Sequence, residues 1–254
     1  MAVTIQGKSG EYRLMGSLFR IMTYNIHENR TLFLSRDTTD SIMQVLFEAD
    51  ADIVCLQEVL ERPDEPDELL NNLWRDRWPH SAFGRNAVLK SGVKGNLVLS
   101  RYPILRWNNT DISLDTHEER GLLEAVIEVP GCEHPVTVVN IHLGAKWWVQ
   151  KQQMEKAVAY CSDRDIGNMP FIMAGDFNDF SKRGIRRLER ISGLANAVYA
   201  EHGKNIRTFP AVFPLLCLDY ILYVNLDLKG VRVHDTGGLK GRSDHVPISA
   251  EFFV

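Results

Sequence analysis

In this 254-residue chain, the carboxylates, amides and imidazoles best placed to do chemistry share one kind of position, the end of an apolar run. Asn25 closes Met22-Thr23-Tyr24, Glu58 follows Ile53-Val54-Cys55-Leu56-Gln57, and Asn140 and His142 close Val136-Thr137-Val138-Val139. Asp176 and Asn178 follow Phe171-Ile172-Met173-Ala174-Gly175, whereas Asp219 and the pair Asp244-His245 stand at the starts of such runs. One Asn or Asp at a strand end is ordinarily a turn former. Six such stations in one chain instead suggest a shared site. A carboxylate such as Glu58, with Asn and Asp oxygens beside it, suits a hard cation like Mg²⁺. That cation would neutralise charge on a phosphoryl or departing oxygen. Asp176 is then the base for an attacking water, with Asn178 holding the water or a phosphate oxygen. His142 and His245 would donate to non-bridging oxygens, and Asp219 would fix the tautomer of His245.

Such a site needs a scaffold that ends its strands together. Apolar, β-branched runs recur at Phe19–Ile26, Asp52–Gln57, Asn96–Ser100, Leu122–Val129, Pro135–Leu143, Pro170–Ala174, Leu218–Val224, Leu228–Val233 and Val246–Val254, each bounded by Gly, Pro, Asn or Asp. Helical periodicity marks Thr38–Glu48, with Asp37 as its N-cap, and again Trp147–Cys161 and Lys182–Ile191. Many strands and few helices predict two packed sheets with helices outside them. If the last two functional strands run antiparallel to the first four, all six stations meet at one rim. The acidic, proline-containing stretch from Glu61 to Glu68 reads as an exposed loop entering a short helix through Trp74.

Taken together, these residues resemble the endonuclease/exonuclease/phosphatase superfamily. The matching segments stand in family order: TYNIH at 23–27, LQEV at 56–59, GNLVLSRYPI at 95–104, Arg120-Gly121, VNIHL at 139–143, AGDFND at 174–179, LDYIL at 218–222 and SDHVPI at 243–248. The resemblance implies an α/β fold, a four-layer αββα sandwich of two mixed, mainly antiparallel sheets. A single domain would span 1–254, with residues 1–18 as an N-terminal extension. By position it implies Glu58 as the main metal ligand with Asn25 and Asp244 nearby, and Mg²⁺ or Mn²⁺ as cofactor. It implies Asp176 with Asn178 as the water-activating pair, His142 and His245 as phosphate contacts, and Asp219 as support for His245. Water would attack directly, without a covalent enzyme intermediate. In keeping with that, the chain has no G-x-S-x-G elbow, no P-loop and no H-E-x-x-H. His27 stands where some nucleases of the family carry an acidic residue, which weakens a close match to the abasic-site endonucleases.

Composition narrows the substrate only a little. A net charge of −4 argues against a protein that holds nucleic acid by bulk positive charge. The four cysteines have no metal-like spacing and are read as reduced, which suits the cytoplasm. With no run near the ~18 apolar residues of a membrane span, any membrane contact is expected to be peripheral. Arg120 is the best candidate for substrate contact, because a guanidinium matches phosphate geometry. Arg85, Asn86, Asn96 and Asn140 are further candidates. The basic run Lys182, Arg183, Arg186, Arg187 and Arg190, the pair Trp147-Trp148 and the apolar loop from Phe209 to Leu216 are features a substrate could use. A nuclease or phosphodiesterase, a phospholipid or sphingolipid phosphodiesterase, a small phosphomonoesterase and a non-catalytic binding module with the same fold all stay open. The partner expected is a phosphate ester, whether nucleic acid or lipid headgroup.

Overall fold

The central apolar runs are buried on both of their faces, and that decides the architecture. In the strand Ile53–Glu61, Ile53 and Cys55 belong to one core cluster and Val54 and Leu56 to another. In Phe171–Asp176, Ile172 and Ala174 turn to the first cluster while Phe171 and Met173 turn to a third. A strand apolar on alternate sides must lie in a sheet covered on both faces. Two such sheets packed together, with helices outside each, satisfy every strand.

The computed structural model describes residues 18–29, 38–62, 74–114, 119–164, 166–234 and 243–253. It contains twelve strands: β1 (Leu18–Asn25), β2 (Ile53–Glu61), β3 (His80–Leu89), β4 (Gly92–Ser100), β5 (Ile104–Asp111), β6 (Gly121–Ile127), β7 (Val136–His142), β8 (Phe171–Asp176), β9 (Ala195–Asn196), β10 (Asp219–Val224), β11 (Asp227–Val233) and β12 (Ile248–Phe253). The helices are α1 (Thr39–Ala49), α2 (Trp147–Ser162), α3 (Arg183–Ser192) and α4 (Ala197–His202). The first sheet runs β11-β12-β1-β2-β4-β3 and the second β5-β6-β7-β8-β10-β9, six strands each. Only β1–β2 and β7–β8 pair in parallel, each joined through a crossover helix, α1 or α2. The other pairings are antiparallel. This is the expected sandwich of two mixed, mainly antiparallel sheets.

One core lies between the sheets, around Ile21, Ile53, Val98, Leu123, Val138, Ile172 and Ile248. A second lies where Ile42 and Leu46 of α1 meet the first sheet, and a third where Met154 of α2 and Leu188 of α3 meet the second. The strand directions satisfy the rim condition, since β12 is antiparallel to β1 and β10 is antiparallel to β8. The C-terminal ends of β1, β2, β7 and β8 therefore gather with the N-terminal ends of β10 and β12.

Two expected details differ or fall outside. Asp37 lies outside the described residues, as do residues 63–73 of the stretch read as an acidic loop from Glu61 to Glu68 and a short helix through Trp74; Glu61 itself ends β2. The N-cap of α1 is Thr38, which makes no side-chain cap bond. Strands β3 and β5 were not expected from periodicity. Both are sheet edges whose exposed residues interrupt the apolar pattern. Among the described residues no helix is long and apolar enough to cross a membrane.

Candidate active site

Backbone geometry aims the key side chains before any of them touches another. Strand β2 carries an extra residue opposite β4 between Leu56 and Val59, and Glu58 within that bulge has φ +57°. A bulge re-aims a side chain at a sheet rim, and positive φ in a non-glycine residue needs surrounding structure to hold it. Asn178 likewise sits at φ +46°, just past the end of β8. Gly175, at φ +150°, lies so close to β7 that a Cβ there would come 1.8 Å from the Ile141 carbonyl oxygen. That approach sets Asp176 directly opposite both His142 and Asp219 in the sheet register.

The side chains then form a connected set. His245 Nδ1 lies 2.9 Å from Asp219 Oδ2, and its Nε2 lies 3.6 Å from Asp176 Oδ2. Asp176 Oδ1 accepts from the Asn178 backbone N–H at 3.0 Å, and its Oδ2 accepts from Asn25 Nδ2 at 3.1 Å. The Asn178 amide donates to the Leu143 carbonyl at 2.8 Å, which fixes its orientation. His142 Nε2 stands 3.7 Å from both Glu58 Oε1 and Asp176 Oδ2. Asn25 Nδ2 also lies 3.4 Å from Glu58 Oε1, and Asp244 Oδ1 lies 3.6 Å from His27 Nδ1. Seven of the eight expected catalytic and metal-site residues are thus linked to one another across the two sheets. Asp244 joins through Ser243, whose hydroxyl donates to the Asn25 carbonyl and lies 3.4 Å from Asp244 Oδ1.

Burial and charge set the protonation states. Burial alone would lower His245, but the charges of Asp219 and Asp176 outweigh it and push its pKa up to about 10. His142 falls well below the ordinary histidine value through burial and the nearby charges of Arg120, Lys94 and His245. Burial pushes Asp176 up to about 7, against the opposing pull of His245. Near neutral pH the site therefore holds an imidazolium, a neutral imidazole and a carboxylate poised to take a proton.

Glu58 offers a carboxylate that could hold a hard divalent cation. Its side chain is 18% exposed, and the groups around its oxygens are the Asn25 amide, His142 and the Lys94 ammonium, which lies 3.8 Å from Oε2. Asp176, Asp219 and His245 also bring ligand-type atoms within 4.8 Å of one another. Two of those three already face each other in the 2.9 Å Asp219–His245 bond. The Asp219 Oδ1 atom is buried without a hydrogen-bond partner.

The expected substrate contacts fare unevenly. Arg120 is half-buried and near enough for its charge to lower the pKa of His142. Asn96 and Asn140 do not face a substrate: they are 1% and 0% exposed. The Asn140 amide donates to the carbonyls of Leu56 and Leu97 at 2.8 and 3.0 Å, and its oxygen accepts from Gln57 at 2.8 Å. Asn96 donates to the carbonyls of Gly121 and Asn140. Both are buried pegs between the sheets, where a backbone polar group left unpaired would be costly. Arg85 is paired through two bonds to Glu61, and Asn86 accepts from Asn109. Sequence reasoning missed Lys94 and Glu28, whose ammonium and carboxylate meet at 3.0 Å beside Glu58. A lysine within a strand carries no signal of its own.

Comparison with known proteins agrees with this arrangement. Residues 22–245 match the Endonuclease/Exonuclease/phosphatase family. The chain is 35% identical over 246 residues to the uncharacterized protein YbhP of Escherichia coli strain K12, covering 93% of this chain and 96% of that one. An endonuclease/exonuclease/phosphatase from Bacteroides vulgatus superposes with a TM-score of 0.75 at 18% identity, covering 94% of this chain and 99% of that one. The mannosyl-6-phosphatase Bt3783 of Bacteroides thetaiotaomicron does so with a TM-score of 0.73 at 16% identity, covering 93% and 100%. At such identities these structures speak for fold alone. With its motifs in order along nearly the whole chain, this protein belongs to the endonuclease/exonuclease/phosphatase family, whose members are mostly hydrolases of phosphoesters.

Proposed function

We propose that this protein is a divalent-metal-dependent phosphodiesterase that cleaves a P–O bond by direct attack of water. The observation that carries the reading is the buried chain Asp219–His245–Asp176, with Glu58 facing it across His142. Glu58, with Asn25 and Asp244, would hold the cation, Mg²⁺ or Mn²⁺. When bound, the cation supplies charge neutralisation at the phosphate and at the departing oxygen. Asp176, with its pKa near 7, takes a proton from the attacking water. Asn178, pinned to the Leu143 carbonyl, orients that water. Protonated His245, held by Asp219, donates to a non-bridging oxygen as charge builds there, and neutral His142 donates from the other side. Arg120 contributes positive charge toward the same oxygens.

Turnover of bis-p-nitrophenyl phosphate with Mg²⁺ or Mn²⁺, compared with p-nitrophenyl phosphate, tests the reading. The expected result is metal-dependent hydrolysis of the diester, abolished by EDTA and reduced by about 10³-fold or more in Asp176→Ala, in line with loss of a general base. Folded protein that turns over no phosphoester with either metal would overturn it.

A further inference from the structure

A cleft of about 470 Å³ opens directly beside the catalytic cluster, between the N-terminal turns of α2 and α3. Asn178 forms part of its wall, and the amide of Asn178 lies 3.4 Å from Asp176 Oδ2. The cleft therefore begins where the proposed water-activating pair ends. Its floor is Met154 against Gly184, packed so closely that a Cβ on Gly184 would come 2.9 Å from the Met154 side chain. Arg187 also lines the cleft, paired with Glu155 at 2.8 Å.

Two aromatic side chains and two cations complete the lining. Trp147 is 74% exposed and Phe180 49%, so both present apolar surface to water beside a polar site. Lys151 and Arg183 are exposed in the same lining, and neither makes an ion pair among the described residues. Two exposed aromatic side chains in one small cleft offer stacking surfaces for a planar ring. Unpaired cations alongside them favour a group that carries negative charge. The volume suits a ligand of nucleotide size.

We propose that this cleft is the subsite for the group esterified to the scissile phosphate, and that it takes a planar aromatic group bearing a further negative charge. This inference rests on the phosphodiesterase reading above. A nucleotide that carries a second phosphate has that chemistry.

Three diesters with a common p-nitrophenolate leaving group separate the outcomes: the methyl, phenyl and 3′-phosphothymidine-5′ p-nitrophenyl phosphates, of which only the last carries a further negative charge. With uncatalysed rates divided out, kcat/KM should favour the phenyl and thymidine esters over the methyl ester by about tenfold or more, chiefly through KM. In Trp147→Ala/Phe180→Ala that preference should collapse toward unity. The 3′-phosphothymidine ester should lead and Arg183→Ala should remove its lead; a phenyl ester that matches it would overturn the charged half of the subsite. A preference absent in the natural protein, or unchanged in the double variant, would overturn the subsite. Silence on all three esters would count against the hydrolase reading instead. Binding then decides the cleft separately. Quenching of tryptophan emission by thymidine 5′-monophosphate in metal-free protein should weaken about tenfold in Phe180→Ala/Arg183→Ala, and equal affinity would overturn the subsite.

Discussion

His245 sits between two carboxylates, and its proton is the most testable feature at the scale of single residues. The donor role requires the imidazolium and the base role the Asp176 carboxylate, so activity should hold between about 7 and about 10 and fall as pH rises through the upper value. Removing the Asp219 charge leaves burial to act more freely and lowers that limb. In Asp219→Asn the alkaline limb of kcat/KM should move down toward the ordinary histidine value of about 6.5, with kcat reduced by about 10²-fold or more. A pH profile identical to that of the unaltered protein would dismiss His245 as the donor. Asp176, Asn178 and His245 were legible in the sequence because scarce residue types stood at strand ends in family order. Asn96 and Asn140 were misread for the same reason, since an amide at a strand end looks alike whether it meets a substrate or the opposite sheet. Lys94 and Glu28 were invisible, because their closeness to Glu58 depends on a bulge that periodicity does not reveal.

At the scale of elements, the central strands were readable because burial on both faces gives unbroken apolar runs. The edge strands β3 and β5, with one side toward solvent and residues such as Arg85, Asn108 and Asn109 within them, lost that signal. The two-residue β9 and the short α4, capped by Asn196 accepting from the Tyr199 N–H, are too brief for any period to register. Between the sheets, Asn140 ties β7 to β2 and β4 through three hydrogen bonds. Asn140→Ala strands two buried carbonyls and removes one of the three acceptors of the Gln57 amide, and should lower unfolding free energy by about 3 kcal/mol in urea titrations. A change under about 0.5 kcal/mol would mean that water replaces the peg without loss.

At the scale of the molecule, the site is assembled half from each sheet: Asn25, Glu58 and His245 flank the strands of one, and His142, Asp176 and Asp219 lie on the other. A cation bound at Glu58 would hold that shared rim together and stabilise only the folded state. At about 100 times its dissociation constant, Mg²⁺ should add about 2.7 kcal/mol and raise Tm by about 5 °C or more. Glu58→Gln should lose the shift while remaining folded; an equal shift in both proteins would move the cation elsewhere.

The pairing of β1 with β12 sets Leu18 against Phe253, so the centre of the first sheet closes only when β12 has been made. Until then a growing chain carries an open edge at β1, and His245, just ahead of β12, is not yet in place beside Asp176. The second sheet, whose strands β5 to β10 follow one another along the chain, can form earlier. Assembly of the proposed site thereby waits for the segment around β12: a chain not yet extended that far has Asp219 and Asp176 in place but no His245 between them.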